Sequence, residues 1–281
     1  MELKSTTYKL DGEEYRVAYW QSGSASAEKV LFCVHGLLGR SRDFDELIAA
    51  LSEDFLCVAI DLPGRGQSEW LKQSEQYRPE NYLPAIGAVL NILGNLPVYW
   101  VGTSLGGILA MAAASLEIAD IKKLVLNDVG CHIPKASLQR IAAYVKDPVF
   151  ADQQALIDHI KQTYPSFRDL TEAQWQRVAQ YGSRQADDGL HLHYDPAIAV
   201  NVSSGSNEDI NLMPLWQGIE CPQMLIHGTA SDLLTQDVVD LMRELKPDLE
   251  LLQLEGLGHA PPLMTPDEVQ AITEFLQRSD L

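Results

Sequence analysis

Ser104 stands in Gly102-Thr103-Ser104-Leu105-Gly106, between the β-branched and aromatic run Val98-Tyr99-Trp100-Val101 and an apolar, alanine-rich run from Leu105 to Leu116. Gly-x-Ser-x-Gly between a strand and a helix puts a serine on a tight turn at the carboxyl edge of a sheet, its hydroxyl exposed beside the helix's amino end. A Cβ at position 102 or 106 would crowd that turn, and Gly107 lets the helix pack closely. A serine hydroxyl is a poor nucleophile near neutral pH, so it needs a base, and the base needs an orienting acid. His259, in Leu257-Gly258-His259-Ala260-Pro261-Pro262, is the candidate base. Two carboxylates compete for the third role: Asp232, in His227-Gly228-Thr229-Ala230-Ser231-Asp232, and Asp128, after Leu126-Asn127.

The elements that must position these groups follow from hydrophobic spacing. Thr6 to Leu10 and Glu14 to Trp20 are strand-like and flank Asp11-Gly12, the signal for a two-residue hairpin. Core strands are expected at Lys29 to His35, Phe55 to Ile60, Val98 to Val101, Lys123 to Leu126, Gln223 to His227 and Leu249 to Leu254. Between them, helices are expected from Phe44 to Leu51, with Asp43 and Glu46 spaced as a capping box, and over Tyr82 to Leu93 and Thr235 to Leu245. A last helix opens at Thr265-Pro266-Asp267-Glu268, where an N-cap, a first-turn proline and a capping-box glutamate coincide. Strands alternating with helices imply an α/β fold with a mostly parallel sheet covered on both faces. That rhythm stops across 131–215, where helical patterns at Ala136 to Val145, Phe150 to Ile160 and Thr171 to Tyr181 have no comparable strand beside them. The reading is an inserted helical cap at 131–215 on a core formed by 1–130 and 216–281.

Composition narrows the classes of function. The 281 residues are 46% hydrophobic, enough for one large core. Thirty-nine acidic against 21 basic side chains give a net charge of −18, which repels nucleic acid and anionic membrane surfaces, so neither is an expected partner. Cys33, Cys57, Cys131 and Cys221 are widely spaced and suggest neither a disulfide framework nor a metal knuckle. The first residues lack signal-peptide character and no apolar run reaches membrane-spanning length, so a cytoplasmic protein is expected.

His35-Gly36-Leu37, Asp61-Leu62-Pro63-Gly64-Arg65-Gly66-Gln67-Ser68, Gly102 to Gly107, Asp232 and Gly258-His259 occur in one order, and together they resemble the α/β-hydrolases of the esterase and lipase superfamily from about Thr6 to the carboxyl terminus. The resemblance implies the α/β-hydrolase fold and a Ser104, Asp232, His259 triad, because the acid more commonly follows the penultimate strand. Asp128 remains the rival. It also implies an oxyanion hole from the backbone N–H groups of Leu37 and Leu105, a structural role for the 61–68 loop and a cap that shapes the pocket. No cofactor or metal is implied, and the expected partner is a small-molecule ester.

A serine where some relatives carry a nucleophilic aspartate argues against dehalogenase and epoxide hydrolase chemistry and leaves acyl transfer. A carboxylesterase for short- to medium-chain esters is therefore expected. Carbon–carbon bond hydrolase, lactonase, thioesterase and cofactor-free haloperoxidase are alternatives on the same fold, and a non-catalytic binding protein is an alternative of another class. His191 and His193, near Asp187, Asp188 and Asp195, match no usual zinc spacing and read as a polar loop. His35 and His227 read as structural, and Trp175 and Trp216 as either pocket or packing residues.

Overall fold

The computed structural model describes residues 1–24, 26–204 and 207–279. The chain opens with a hairpin, β1 (Glu2–Leu10) and β2 (Glu13–Ser22), in which Leu10 pairs with Glu13. Asp11 and Gly12 both have positive φ, 51° and 82°, which is the two-residue turn matching the twist of the flanking strands. Six strands then run parallel: β3 (Val30–Val34), β4 (Leu56–Asp61), β5 (Val98–Thr103), β6 (Ile121–Asn127), and, past four short strands outside this sheet, β11 (Gln223–Gly228) and β12 (Glu250–Leu254). The eight-stranded sheet has the order β1-β2-β4-β3-β5-β6-β11-β12, with β2 antiparallel to β4.

Strand alternation divides the core into two layers. Val30, Phe32 and Val34 of β3 face the layer that holds α2 (Pro79–Leu93) and α3 (Leu105–Ser115), whereas Leu31 and Cys33 face the layer built with α1 (Asp45–Leu51) and α10 (Pro266–Gln277). Val238, Val239 and Met242 of α9 (Gln236–Leu245) join the first layer. Because β3 and β4 are buried on both faces, their sequences run apolar from Val30 to Val34 and from Leu56 to Ile60 rather than alternating with polar residues. The last helix starts as its cap predicts: Glu268 Oε2 accepts the Thr265 and Met264 N–H groups, each at 2.9 Å.

One expected cap lies elsewhere. Asp43 Oδ2 accepts the Arg40 N–H at 2.9 Å and so caps a 3-10 turn, Ser41–Phe44, that precedes α1. Glu46 turns outward to Gln174 and Arg177.

The segment between β6 and β11 carries β7 (His132–Ile133), α4 (Lys135–Tyr144), α5 (Gln153–Thr163), α6 (Glu172–Gly182), the hairpin β8 (Ser183–Ala186) and β9 (Gly189–Leu192), α7 (Ile198–Ser204), β10 (Ile210–Asn211) and α8 (Met213–Trp216). Three of its helices overlap the three helical patterns in the sequence, α5 starting three residues later than expected because Phe150 pairs with Leu190. The hairpin was not expected, because its strands are four residues each and Ser-Arg-Gln-Ala has no apolar face. The segment is stitched to the loop after β4: Gly66 N–H donates to His193 O, and Asp195 N–H to Gly64 O.

Candidate active site

Ser104 sits between the end of β5 and the start of α3 with φ 51° and ψ −111°, a conformation that a side chain other than glycine rarely holds unless its surroundings enforce it. The enforcing contacts are backbone ones. A Cβ built on Gly106 would lie 1.9 Å from Val34 O, and one on Gly102 would lie 2.5 Å from Gly106 C. The Ser104 N–H donates to Asn127 O at 2.9 Å, which ties the turn to the end of β6.

Around this elbow three loops converge. Ser104 Oγ lies 2.9 Å from His259 Nε2, and His259 Nδ1 lies 2.7 Å from Asp128 Oδ2. Asp128 is fully buried, directly beyond β6, and holds φ 56°. Its carboxylate collects two further donors, the Gly228 N–H on Oδ1 at 3.0 Å and the Ser231 hydroxyl on Oδ2 at 2.6 Å. A carboxylate on Nδ1 fixes the tautomer that leaves Nε2 free to accept the serine proton. Asn127 supports the arrangement from the neighbouring position: its Nδ2 donates to Pro261 O at 2.9 Å, just past His259, and to Thr103 Oγ1 at 3.1 Å.

Asp232, the expected acid, is not at His259. It forms a two-point pair with Arg140 of α4, Nε to Oδ2 at 2.5 Å and Nη2 to Oδ1 at 2.7 Å, and its side chain is 48% exposed. The reason is local. The loop after β11 curls back through a Ser231 N–H bond to Gly228 O at 2.8 Å, so the Ser231 hydroxyl faces Asp128 while the next side chain points outward. The carboxylate brought to the histidine is the rival, Asp128.

The loops after β3 and β4 frame the other side. His35 is 1% exposed; its Nε2 accepts the Leu62 N–H at 3.0 Å, which leaves Nδ1–H to donate to Gly36 O at 2.6 Å. Burial lowers its pKa to about 3, so the ring is a neutral strut. Arg65, fully buried, donates to Leu37 O at 2.8 Å, Pro63 O at 2.7 Å and Tyr82 Oη at 2.9 Å. It thereby anchors the Leu37 peptide by its carbonyl. Asp61 accepts the Ser41 and Gln67 N–H groups at 2.8 and 2.9 Å and holds the two loops together. Leu37 lines the space in front of Ser104, and Leu105 is the first residue of α3, where an N–H has no acceptor one turn back.

A family model described as the alpha/beta hydrolase family matches residues 30–272. The chain belongs to that family. Among proteins similar to this hydrolase, the 3-hydroxybutyrate-oligomer hydrolase of Cupriavidus necator is 33% identical over 271 residues, covering 93% of this chain and 92% of that protein. An esterase of Mycobacterium tuberculosis is 28% identical over 267 residues, covering 90% and 82%. The crystal structure of an alpha/beta hydrolase from Novosphingobium aromaticivorans superimposes with a TM-score of 0.85 at 30% identity, over 99% of this chain and 98% of that one.

In this hydrolase a cavity of about 130 Å3 opens onto Ser104 and His259. Its apolar wall combines Leu38 and Phe44 with Ile141, Ile160, Val178 and Leu192 of the 131–215 segment. Trp175 and Trp216 are buried away from it; Trp216 Nε1 donates to Gln223 Oε1 at 2.7 Å, and Lys161 lies over the Trp175 ring. His191 bridges Asp147 and Asp188 at 2.9 and 2.8 Å, and these two hydrogen bonds raise its pKa. His193 faces Tyr181 O instead. His227 is buried near the end of β11 with Nδ1 unpaired. Sequence reasoning passed over Ser231, Asn127 and Arg65. Of these only Asn127 carried a signal, an amide side chain at the end of an otherwise apolar strand.

Proposed function

We propose that this hydrolase is a serine carboxylesterase acting on short- to medium-chain esters through an acyl-enzyme, with Ser104 as nucleophile, His259 as base and Asp128 as orienting acid. The observation that carries the reading is the unbroken chain from Ser104 Oγ through His259 to Asp128, with contacts of 2.9 and 2.7 Å. His259 Nε2 takes the Ser104 proton as Oγ attacks the ester carbonyl. The N–H groups of Leu37 and Leu105 receive the negative charge that develops on the carbonyl oxygen. The imidazolium, steadied by Asp128, then protonates the leaving alcohol, and the acyl group remains on Ser104. Water, deprotonated by the same imidazole, attacks that acyl carbon, and collapse of the second tetrahedral adduct returns the proton to Ser104 and frees the acid.

The cycle calls on no cofactor. Residues 131–215 act as the cap over the core, since their side chains supply much of the apolar wall. The similarity to a hydrolase of 3-hydroxybutyrate oligomers favours esters built from short hydroxy acids. A cytoplasmic setting suits the thiols of Cys33, Cys57 and Cys131, none of which is in a disulfide. Among the described residues no helix is long and apolar enough to cross a membrane.

The test is a panel of para-nitrophenyl esters of increasing acyl length, with organophosphonate labelling. Turnover should favour short acyl chains, labelling should reach one equivalent at Ser104, and Ser104→Ala should abolish both with an unchanged circular-dichroism spectrum. Ester hydrolysis that survives in Ser104→Ala would overturn the mechanism.

A further inference from the structure

The cavity beside Ser104 is mostly apolar, yet one permanent charge of positive sign reaches it. Arg40 lines the space three residues beyond Leu37, and among the described residues of the lining it is the one guanidinium or ammonium, His35 being held neutral. Its side chain is 12% exposed and its hydrogen bonding is incomplete. Nη1 donates to Val178 O at 3.2 Å, and Nε is buried without an acceptor.

The nearest carboxylate, Asp43, stays 3.8 Å from Nε and uses Oδ2 on the Arg40 backbone N–H instead. Two residues along, Arg42 shows what a closed pair looks like: its Nε and Nη2 meet Asp45 at 2.8 and 2.6 Å. Both arginines have a carboxylate three residues on, and only the one facing the cavity is left open. Burial pushes the Asp43 carboxyl above its ordinary range, against the pull of Arg40. A buried guanidinium with unfilled donors is costly unless an anion completes it, and a planar carboxylate matches its fork. The protein as a whole carries −18, so a negatively charged substrate needs a local cation to hold it near the serine.

We infer that Arg40 is a carboxylate-recognition residue, and that the substrates of this hydrolase are esters with a free carboxylate, such as an ester-linked dimer of a short hydroxy acid. The inference rests on the serine esterase reading above. In the free enzyme Asp43 loosely balances Arg40; in the complex the substrate carboxylate takes the open face of the guanidinium while Ser104 attacks the ester carbonyl.

The experiment compares the linear dimer of 3-hydroxybutyrate as free acid with its methyl ester, which shares the scissile bond and lacks the charge. The wild type should show a higher kcat/KM on the free acid. In Arg40→Gln the ratio of kcat/KM for free acid over methyl ester should fall by about 10- to 100-fold, the range for losing a hydrogen-bonded charge. Asp43→Asn should raise that ratio several-fold, mainly through KM, and keeps the test decisive should Arg40→Gln fail to fold. An unchanged ratio in a folded Arg40→Gln variant, with both substrates slowed alike, would make Arg40 a structural tie to Val178 and overturn the inference. So would a wild type that turns over para-nitrophenyl esters but neither dimer. A wild type inert toward every ester overturns the esterase reading itself.

Discussion

The loops that follow β6 and β11 offer the same chemistry on paper, an aspartate just past a core strand, and the molecule uses them in opposite ways. Beyond β6, Asp128 is fully buried and three donors fill its oxygens, from Gly228, Ser231 and His259. Beyond β11, Asp232 faces solvent and meets α4 through Arg140, while Ser137 Oγ donates to its carbonyl at 2.7 Å. The end of β11 and its loop still contribute to the first, since Gly228 and Ser231 are two of those three donors. The carboxylate that meets His259 is thus the buried one with donors aimed at it, and the aspartate that looks better placed in sequence docks a helix through Arg140.

The largest effect that could break this contrast is on turnover. Asp128→Asn should lower kcat on para-nitrophenyl esters on the order of 10⁴-fold, because the amide can present its NH2 to His259 and favour the wrong tautomer. Asp232→Asn should stay within a few-fold of wild type, since an exposed ion pair contributes about 1 kcal/mol or less and only to stability. The reverse result would restore Asp232 to the active site.

Burial with filled partners should show equally in stability at His35. Its folded pKa, about 3, lies below its ordinary value near 6.5, so the unfolded chain binds the extra proton between those limits. Stability from this residue is complete above roughly pH 6.5 and falls as the pH drops toward 3. Denaturant titrations across that window should show an acid limb of several kcal/mol in the wild type, reduced in His35→Asn. Equal limbs in the two proteins would remove His35 as its source.

A smaller effect sharpens the comparison. Ser231→Ala removes one of the three donors on Asp128 and should cost roughly tenfold in kcat with KM little changed, as expected for a single hydrogen bond to a charged group. Ser231→Thr should recover most of it. A loss confined to KM, or no loss, would mean that the Ser231 hydroxyl serves only the Leu233 and Leu234 N–H groups it also accepts.

What the sequence disclosed follows the range of the forces involved. The elbow at Ser104, the Asp11-Gly12 turn and the start of α10 depend on backbone sterics and caps within a few residues, and each was legible. His259 was legible too, because a glycine before it and prolines after it mark a shaped loop past the last strand. Which carboxylate meets His259 was not, because that depends on which way a turn faces, and Ser231 and Asp232 differ by one position in a curl that only the folded Gly228 contact sets. The β8 and β9 hairpin escaped for another reason. Its strands are short, β8 has no apolar face, and Leu190 of β9 pairs through the backbone with Phe150, a partner far off in sequence. Arg40 and Arg42 look equivalent in the string of residues and differ only in what surrounds them.

Gly106 carries a consequence for how such a site can change over generations. Its missing Cβ is what allows α3 to approach Val34 O, whereas nothing in that approach depends on the oxygen of the residue at 104. The reactive atom is therefore replaceable and the bare backbone around it is not. A change of side chain at 104 thus leaves the seat of α3 in place, whereas any Cβ at 106 must push the helix off the end of β3.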